Sequence, residues 1–285
     1  MTTPQISISC PTTYSTSIEE DLRNYAAGGA TGIGIWEYKL KDGEDSKVIE
    51  EMERLGLAAT LNCGKVPSVI QDRFFMEPAD PKERIAAMVE NVRRWAPFKP
   101  AAILITTGDP EFWDPATIRQ VTVDGLKQVA EAAGEAGLKL GIEPYRKTSG
   151  TMVSTITEAM ELIAEVGAPN MGVLVDLWHS WDTPTVHDEL ATYAADIVGI
   201  QLSDYRDPTR GWCDRVLPGD GKIDLKAFFR TFEAIGYQGW YDVEIFSDNG
   251  LFGNDYPDSV WSRPPAAVAQ AAVEQTLALW NARNG

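Results

Sequence analysis

The sequence predicts a single closed (β/α)8 barrel. Apolar segments of strand length alternate with segments of helix length, and eight such pairs follow one another along the 285 residues. No linker of domain size separates the pairs, so we expect one domain over residues 1–285. Alternating units of this length are typical of a parallel sheet, and eight of them fit a closed barrel.

An open, doubly wound parallel sheet is the rival architecture. Such a sheet usually carries a glycine-rich phosphate loop directly after its first strand. Residues 10–14 read Cys-Pro-Thr-Thr-Tyr and contain no glycine. We therefore favour the barrel over the open sheet.

The strands are predicted from alternating or continuous apolar runs. Residues 171–176 form an almost unbroken apolar run, which is typical of a parallel strand buried on both faces. The predicted strands are Gln5–Cys10, Gly32–Glu37, Leu57–Asn62, Ala101–Thr106, Leu138–Glu143, Met171–Asp176, Ile197–Gln201 and Gly239–Glu244.

The helices are predicted from their start and stop signals. Ser15 or Ser17 lies near a capping position, and Pro81 fits the first turn of a helix. Two long loops, 204–224 and 245–263, interrupt the regular alternation. The predicted helices are 16–28, 45–56, 80–97, 114–137, 154–167, 185–195, one that ends at Gly236, and a closing helix after Pro264-Pro265.

The charge balance excludes several classes of partner. The net charge is −17, from 42 acidic and 25 basic residues, and so acidic a surface repels nucleic-acid phosphates. No run of about 18 apolar residues is present, so we expect no membrane span. The first residues lack the charged and apolar regions of a signal peptide. We expect a cytoplasmic protein.

The cysteines agree with a reduced compartment. Cys10, Cys63 and Cys213 are odd in number, widely spaced and outside any CxxC pattern. Cys10 and Cys63 fall at predicted strand ends, where they could border a pocket. We interpret all three as small buried side chains, because buried free cysteine is common.

Four neighbouring predicted strands end on an oxygen-bearing side chain: Glu143, Asp176, Gln201 and Glu244. In a closed barrel the carboxyl ends of the strands share one face. Three unpaired carboxylates there would repel one another, and a divalent cation removes that conflict. An all-oxygen set favours Mg²⁺ or Mn²⁺ over a structural Zn²⁺. A polar barrel mouth without a metal is the alternative.

Several segments together resemble the xylose-isomerase-like barrel superfamily, and within it the sugar (phosphate) isomerase/epimerase group. That group includes ketose 3-epimerases, inosose isomerases and dehydratases, and hydroxypyruvate isomerases. The resemblance implies that Glu143, Asp176, Gln201 and Glu244 are the metal ligands, and that His179 and Arg215 contact the substrate. The segments are Gly141–Arg146, Val175–His179, Ile200–Asp204, Arg215–Asp224 and Asp242–Glu244.

One position departs from the common family pattern. Many relatives carry histidine where this chain has Gln201, and glutamine is similar to the hydroxypyruvate isomerases and some 3-dehydroshikimate dehydratases. This departure weakens the transfer of a plain ketose epimerase activity. The DNA-repair endonucleases of the superfamily use more ligands, largely histidine, and match poorly a chain with 2 histidines.

The implied chemistry is proton transfer beside a carbonyl group. A metal bound to a carbonyl and an adjacent hydroxyl oxygen stabilises the enediolate that forms when the intervening proton leaves. Glu143 and Glu244 are the candidates to remove and return that proton. Arg215 would hold a substrate oxygen, and His179 would donate to a hydroxyl group or help to expel one. The predicted function is a divalent-metal-dependent isomerase or epimerase of a sugar-like polyhydroxy carbonyl compound.

Two other functions remain open. A lyase on the same scaffold would dehydrate an inosose or 3-dehydroshikimate, or cleave a keto-glycoside. A non-catalytic partner subunit or sugar-binding barrel is the third. The expected partner is a small carbohydrate or cyclitol. A homo-oligomer is left open, because relatives often pair through their outer helices.

The supporting residues each have a structural alternative. Trp36 and Trp178 are predicted to contact substrate as parts of an apolar wall with Trp113 and Trp212, and plain packing is the rival. His179 could instead satisfy a loop carbonyl. Arg215 could instead pair with Asp214 or Asp220, and Asp204 could orient Gln201 or cap a turn.

Overall fold

The strands form one nine-stranded parallel sheet and a two-stranded antiparallel hairpin. The structure, a computed structural model, describes residues 3–285 except for the side chain of Lys147. The parallel order is β3-β2-β1-β11-β8-β7-β6-β5-β4. The strands are β1 (Gln5–Ser9), β2 (Gly32–Gly34), β3 (Ala58–Ala59), β4 (Leu61–Cys63), β5 (Ala102–Ile105), β6 (Leu140–Ile142), β7 (Met171–Asp176), β8 (Ile197–Leu202), β9 (Asp204–Tyr205), β10 (Arg215–Val216) and β11 (Trp240–Val243).

Helices follow the strands in alternation, which confirms the predicted (β/α)8 class. The first helix starts as expected at Ser17, whose side chain and that of Glu20 form a capping box. No described helix is long and apolar enough to cross a membrane. The helices are α1 (Ile18–Ala27), α2 (Asp45–Leu55), α3 (Pro81–Trp95), α4 (Ile118–Glu135), α5 (Ile156–Val166), α6 (Leu177–Ser180), α7 (Val186–Thr192), α8 (Leu225–Ala234) and α9 (Pro265–Asn281).

The contacts divide the chain into two compact units. Unit 1 contains the chain up to Thr60 together with Ile200–Gly285. Its central pair is β1 with β11, in a register that sets Ser7 opposite Asp242. Helix α1 packs against α2 and α9. The aromatic side chains of Phe229, Tyr241 and Trp280 fill the core between β11, α8 and α9.

Unit 2 contains Leu61–Gly199. Its strands β4 to β7 pair in sequence order, with Ile103 opposite Leu140 and Ile142 opposite Val173. Helices α3 and α4 pack together outside these strands. The prediction of a single domain over residues 1–285 stays a prediction.

Three local features differ from the predicted elements. The third predicted strand is split at Thr60 into β3 and β4. The predicted loop 204–224 contains the β9–β10 hairpin, which begins only two residues after β8 ends. The tryptophan-rich turn after β7 is the short helix α6. The hairpin depends on pairing between residues about ten positions apart, which local sequence patterns do not specify.

Candidate functional site

Three side chains that can bind a metal meet at the carboxyl ends of β6 and β7, within unit 2. Glu143 follows β6, Asp176 ends β7, and His179 lies in α6. One ligand atom from each lies within 4.8 Å of the other two, and all three residues are buried. Buried carboxylates this close together need a cation, a proton or hydrogen-bond donors.

Asp176 is held in place because it caps α6. Its Oδ1 atom accepts a hydrogen bond of 2.8 Å from the backbone amide of Trp178, and its backbone carbonyl accepts one from the Ser180 hydroxyl. The other oxygen, Oδ2, lies 3.7 Å from Nε2 of His179. One oxygen of Asp176 is therefore structural and the other faces the cluster.

His179 presents its Nε2 atom to the two carboxylates. Nδ1 accepts a hydrogen bond of 3.1 Å from the backbone amide of Arg146, while Nε2 lies 3.9 Å from Oε1 of Glu143. Tyr145 stacks on the imidazole at 4.5 Å and Trp178 packs edge-on at 5.0 Å. A neutral ring that accepts at Nδ1 carries its hydrogen on Nε2. This geometry favours His179 as a proton donor rather than as a metal ligand.

A cavity lined by polar residue types adjoins His179. Its volume is about 210 Å³. The Arg146 guanidinium at its edge donates to the carbonyl of Trp178 at 3.2 Å and to the Asp182 carboxylate at 2.5 Å. A hydroxyl-rich molecule would find matching donors and acceptors there. The lining residues are Arg146, Thr148, Ser154, Thr155, His179, Asp182 and Thr183.

The other predicted ligands lie in unit 1, where they form a buried network around Glu244. Gln201 donates from Nε2 to Oε1 of Glu244 at 2.7 Å, and Arg215 donates from Nη1 to Oε2 at 3.2 Å. The Ser9 hydroxyl adds a longer contact of 3.4 Å to Oε1. Both oxygens of Glu244 are thus oriented by donors, and the cationic Arg215 compensates its buried charge.

The remaining oxygen of Gln201 is unsatisfied. Within residues 3–285, Oε1 of Gln201 is buried and has no hydrogen-bond partner. A buried acceptor without a donor costs about 1–3 kcal/mol. Bound cations are among the few groups that can remove this cost. Gln201 thus fits the chemistry of an oxygen ligand to a divalent ion.

Arg215 and His179 each have a partner that the sequence did not indicate. Arg215 pairs with Glu244, while Asp214 is held by Arg206 and Arg210. Nδ1 of His179 accepts a hydrogen bond from the backbone amide of Arg146, so this nitrogen does not donate to a loop carbonyl. Substrate contact by Arg215 and His179 stays a prediction.

Asp204 caps a loop, which is one of its two predicted roles. Its carboxylate accepts backbone hydrogen bonds from Tyr205, Gly219 and Ile223 at 2.8–2.9 Å. Burial raises the pKa of Asp204, and these amides oppose the rise. Asp204 thus orders the segment that follows β10.

The four predicted wall tryptophans are divided equally between the two units. Trp36 and Trp212 both contact the ring of Phe246, in unit 1. Trp178 is buried against His179, and Trp113 has a buried indole nitrogen with no hydrogen-bond partner in the described chain. Substrate contact by Trp36 and Trp178 stays a prediction.

The sequence reasoning missed several partners of the site. Ser9 and Phe246 contact the Glu244–Arg215 pair, and Tyr145 supports His179. Two of these partners could have been found from their places in the sequence, because Ser9 ends β1 and Phe246 lies two residues after Glu244.

The cysteines are buried and free, as predicted. Burial raises the pKa of Cys10 to about 12, and burial also raises the pKa of Cys213 to about 12. Both thiols are therefore protonated near neutral pH, which agrees with a packing role.

A parallel (β/α)8 chain with carboxylates, an amide and a histidine at its strand ends defines a class of barrels whose strand ends carry potential metal ligands. The family model for the xylose isomerase-like TIM barrel matches residues 23–277. The chain belongs to this family, which confirms the resemblance stated above.

Curated relatives match at modest identity. A 3-dehydroshikimate dehydratase of Pseudomonas putida is 26% identical over 244 residues, 82% of this chain and 37% of that protein. A probable ketose 3-epimerase of Synechocystis sp. is 26% identical over 127 residues, 44% of this chain and 41% of that protein. The chain therefore spans less than half the length of these two relatives.

A solved structure shares the fold. The IOLI protein, solved with a bound zinc atom, has a TM-score of 0.78 at 19% identity, covering 97% of this chain and 98% of that one. At this identity the likeness establishes the fold alone.

Proposed function

We propose that the protein is a divalent-metal-dependent isomerase or epimerase of a sugar-like polyhydroxy carbonyl compound. The observation that carries the proposal is the buried amide oxygen of Gln201, which has no hydrogen-bond partner in the described residues and belongs to an amide bonded to the strand-end carboxylate of Glu244. The substrate would be a small carbohydrate or cyclitol, as the names of the curated relatives suggest. Mn²⁺ and Mg²⁺ suit this oxygen-rich ligand set.

Membership of this barrel family supports a shared role in metal binding for the carboxylates at the ends of β6 and β7 and for the Gln201–Glu244 pair. In barrels of this class the carboxyl ends of all strands form the active-site face. We propose Glu143, Asp176, Gln201 and Glu244 as the metal ligands on that face. When bound, the ion supplies positive charge that stabilises the enediolate of the substrate.

Glu143 and Glu244 are proposed to move the proton. Arg215 and Gln201 each donate to one oxygen of Glu244, which fixes the direction of the carboxylate. Oε1 of Glu143 lies 3.9 Å from Nε2 of His179, so the Glu143 carboxylate also lies near an N–H group. One carboxylate removes the proton beside the carbonyl group, and the other returns one to the adjacent carbon.

A dehydratase is the second candidate, and the orientation of His179 favours it. The Nε2 hydrogen points toward the carboxylate cluster, where it can protonate a departing hydroxyl group. The dehydratase of P. putida also aligns over 82% of this chain. Both candidates begin with loss of the same proton and differ in the fate of the neighbouring hydroxyl.

Metal-loaded protein in D₂O, incubated with ketoses, inososes and 3-dehydroshikimate, tests the proposal. Deuterium incorporation with an isomeric product supports the isomerase, and a new ultraviolet absorbance from a conjugated product supports the dehydratase. Mn²⁺ titration by calorimetry tests the site independently of turnover, and Glu143→Gln should weaken binding. Absence of Mn²⁺ binding, or of exchange across the panel, would overturn the proposal.

A further inference from the structure

Unit 1 carries a cluster of aromatic side chains in the loops that follow β1, β2 and β11. We call this cluster the aromatic shelf. Tyr14 lies at its centre, with ring centroids 4.9 Å from Tyr38, 4.9 Å from Trp261 and 5.2 Å from Phe252. The shelf consists of Tyr14, Trp36, Tyr38, Phe246, Phe252 and Trp261.

Part of the shelf faces solvent. Phe252 is 43% exposed and Tyr38 is 38% exposed, and the neighbouring Leu251 is 54% exposed. Single apolar residues scattered over a surface need no explanation, whereas a contiguous apolar patch commonly marks a binding site. The shelf is therefore a candidate to receive a ligand.

The shelf is continuous with the Glu244 network. The guanidinium carbon of Arg215 lies 5.0 Å from the ring centroid of Phe246, and Arg215 also donates to Glu244. Trp36 packs edge-on against Phe246 at 5.6 Å. A ligand whose oxygen atoms reach Arg215 would thus have its remaining part beside the shelf.

The loop that carries Phe252 and the indole of Trp261 are held in place by hydrogen bonds. The buried carboxylate of Asp248 accepts hydrogen bonds from the backbone amides of Gly250, Phe252 and Asn254 at 2.8–3.1 Å. The indole of Trp261 donates to the backbone carbonyl of Pro11 at 2.8 Å. Ordering a loop around an exposed phenyl ring is costly, whereas a preorganised ring lowers the entropy loss of binding.

We propose that the shelf binds a flat, apolar substituent carried by the substrate, so that the substrate is an aryl glycoside with a carbonyl group on its sugar. An incoming ring would extend the existing stacked and edge-on pairs, whose centroid spacings lie in the range that aromatic pairs favour. A single sugar ring covers only a fraction of six aromatic side chains, and its peripheral hydroxyls need polar partners. This inference rests on the proposed function and names its substrate class.

The test compares two sugars that lack a ketone and differ in one substituent. Phenyl β-D-glucopyranoside and methyl β-D-glucopyranoside would be titrated into the metal-loaded protein by calorimetry. We expect the phenyl compound to bind roughly tenfold more tightly, because only its ring reaches the shelf. Since neither sugar can undergo the proton transfer, the result does not depend on turnover.

A pair of matched variants locates the binding. Phe252→Ala should reduce the affinity for the phenyl compound about fivefold and leave that for the methyl compound unchanged. Phe74→Ala is the control, because Phe74 is similarly exposed at 41% but belongs to unit 2 and not to the shelf. Circular dichroism would establish that both variants are folded.

Three results would overturn the inference. They are equal affinity for the two sugars, an equal loss in both variants, and dissociation of an oligomer by Phe252→Ala, which would make the shelf a protein interface. If bare ketoses exchange deuterium but the phenyl preference is absent, the shelf inference fails and the proposed function stands. A phenyl preference without Mn²⁺ binding or exchange would instead support the shelf as a binding surface and overturn the proposed function.

Discussion

Gln201 and Glu244 are joined by a hydrogen bond of 2.7 Å from Nε2 to Oε1, which fixes the direction of the Gln201 amide. Because the carboxylate can only accept, the amide nitrogen must face it, and the amide oxygen must point elsewhere. That oxygen is buried without a donor in the described part of the chain. The pair thus combines an oriented carboxylate with an oxygen that is available to a cation.

Replacing Gln201 should weaken metal binding. We expect Gln201→Leu to reduce Mn²⁺ affinity by about 10–100-fold, because it removes an oxygen ligand and a donor to Glu244. Gln201→His should retain Mn²⁺ binding, since imidazole supplies a nitrogen ligand. Calorimetry on the purified variants checks this, with Gln270→Leu on the exposed face of α9 as control. Wild-type affinity in Gln201→Leu would contradict the assignment.

His179 should be needed for turnover but not for metal binding. Its Nδ1 atom accepts from the amide of Arg146, so Nε2 carries the hydrogen. His179→Asn should lower kcat by about 10²–10⁴-fold, the usual contribution of a general acid. Metal content, measured by mass spectrometry, should stay at the wild-type value, and loss of metal would instead make His179 a ligand. His187→Gln, which alters the exposed histidine of α7, is the control.

Arg215 should contribute to substrate binding and to the alignment of Glu244. Arg215→Met leaves Oε2 of Glu244 without this donor and removes the cation that would hold a substrate oxygen. We expect kcat/KM to fall by about 100-fold, with a smaller loss in Arg215→Lys, which keeps the charge but not the planar guanidinium. Steady-state kinetics with the substrate identified by the D₂O screen checks this. Equal losses in both variants would argue that geometry, not charge, matters.

The exposed Arg119→Met on α4 is the control for Arg215, because Arg119 forms only a surface pair with Glu165 within the described contacts. Such pairs contribute about 0–1 kcal/mol, so its kinetics should be unchanged.

The strand ends were predictable from the sequence because strand patterns are local. Asp176 ends an apolar run at the residue expected, and Glu143 follows its strand directly. The partner of Arg215 was not predictable, because Glu244 is 29 positions away and Asp214 is its neighbour in sequence. Asp214 was the nearer candidate along the chain, whereas the contact with Glu244 forms only in the folded protein.

Neither the tautomer of His179 nor the hydrogen bonds of Asp204 could be predicted from local sequence patterns. The tautomer depends on the amide of Arg146, which lies 33 positions from His179. Asp204 accepts from Gly219 and Ile223, 15 and 19 positions away. Side-chain hydrogen bonds to distant backbone leave no periodic pattern in a sequence.

Breaking one buried ion pair should strongly destabilise unit 1. Lys39 and Asp21 are 2.5 Å apart, with exposed fractions of 2% and 0% for their side chains. Removing one partner of such a pair costs about 3–5 kcal/mol, because the other charge remains buried. Urea unfolding of Lys39→Met should give a loss of this size near neutral pH.

The loss should depend on pH. Burial raises the pKa of Asp21 above its ordinary value of 3.8, and Lys39 opposes the rise. Without Lys39 the folded protein holds a proton on Asp21 to higher pH than the unfolded chain does, so stability falls as the pH rises above about 3.8. Lys39→Met should therefore be less destabilised at pH 5 than at pH 7.5. The double variant Lys39→Met, Asp21→Leu should remove this dependence, and a persistent dependence would contradict the assignment to Asp21.

Asp248 should control the position of Phe252 on the aromatic shelf. Burial raises the pKa of Asp248, but hydrogen bonds from the amides of Phe252, Asn254 and Gly250 outweigh burial and hold it below its ordinary value. The stabilisation is therefore present above pH 3.8 and is lost as the pH falls through the lowered pKa. Asp248→Asn replaces one acceptor oxygen by a donor and should loosen the loop at every pH.

Hydrogen exchange at the Phe252 amide should accelerate in Asp248→Asn, and phenyl β-D-glucopyranoside should bind about threefold more weakly, in line with the loss of one or two hydrogen bonds. Binding of the methyl compound should not change. Asp255→Asn is the control, because Asp255 is exposed in the same loop. If exchange at Phe252 accelerates while the phenyl affinity is unchanged, then the fixed position of this ring is not what gives the shelf its preference.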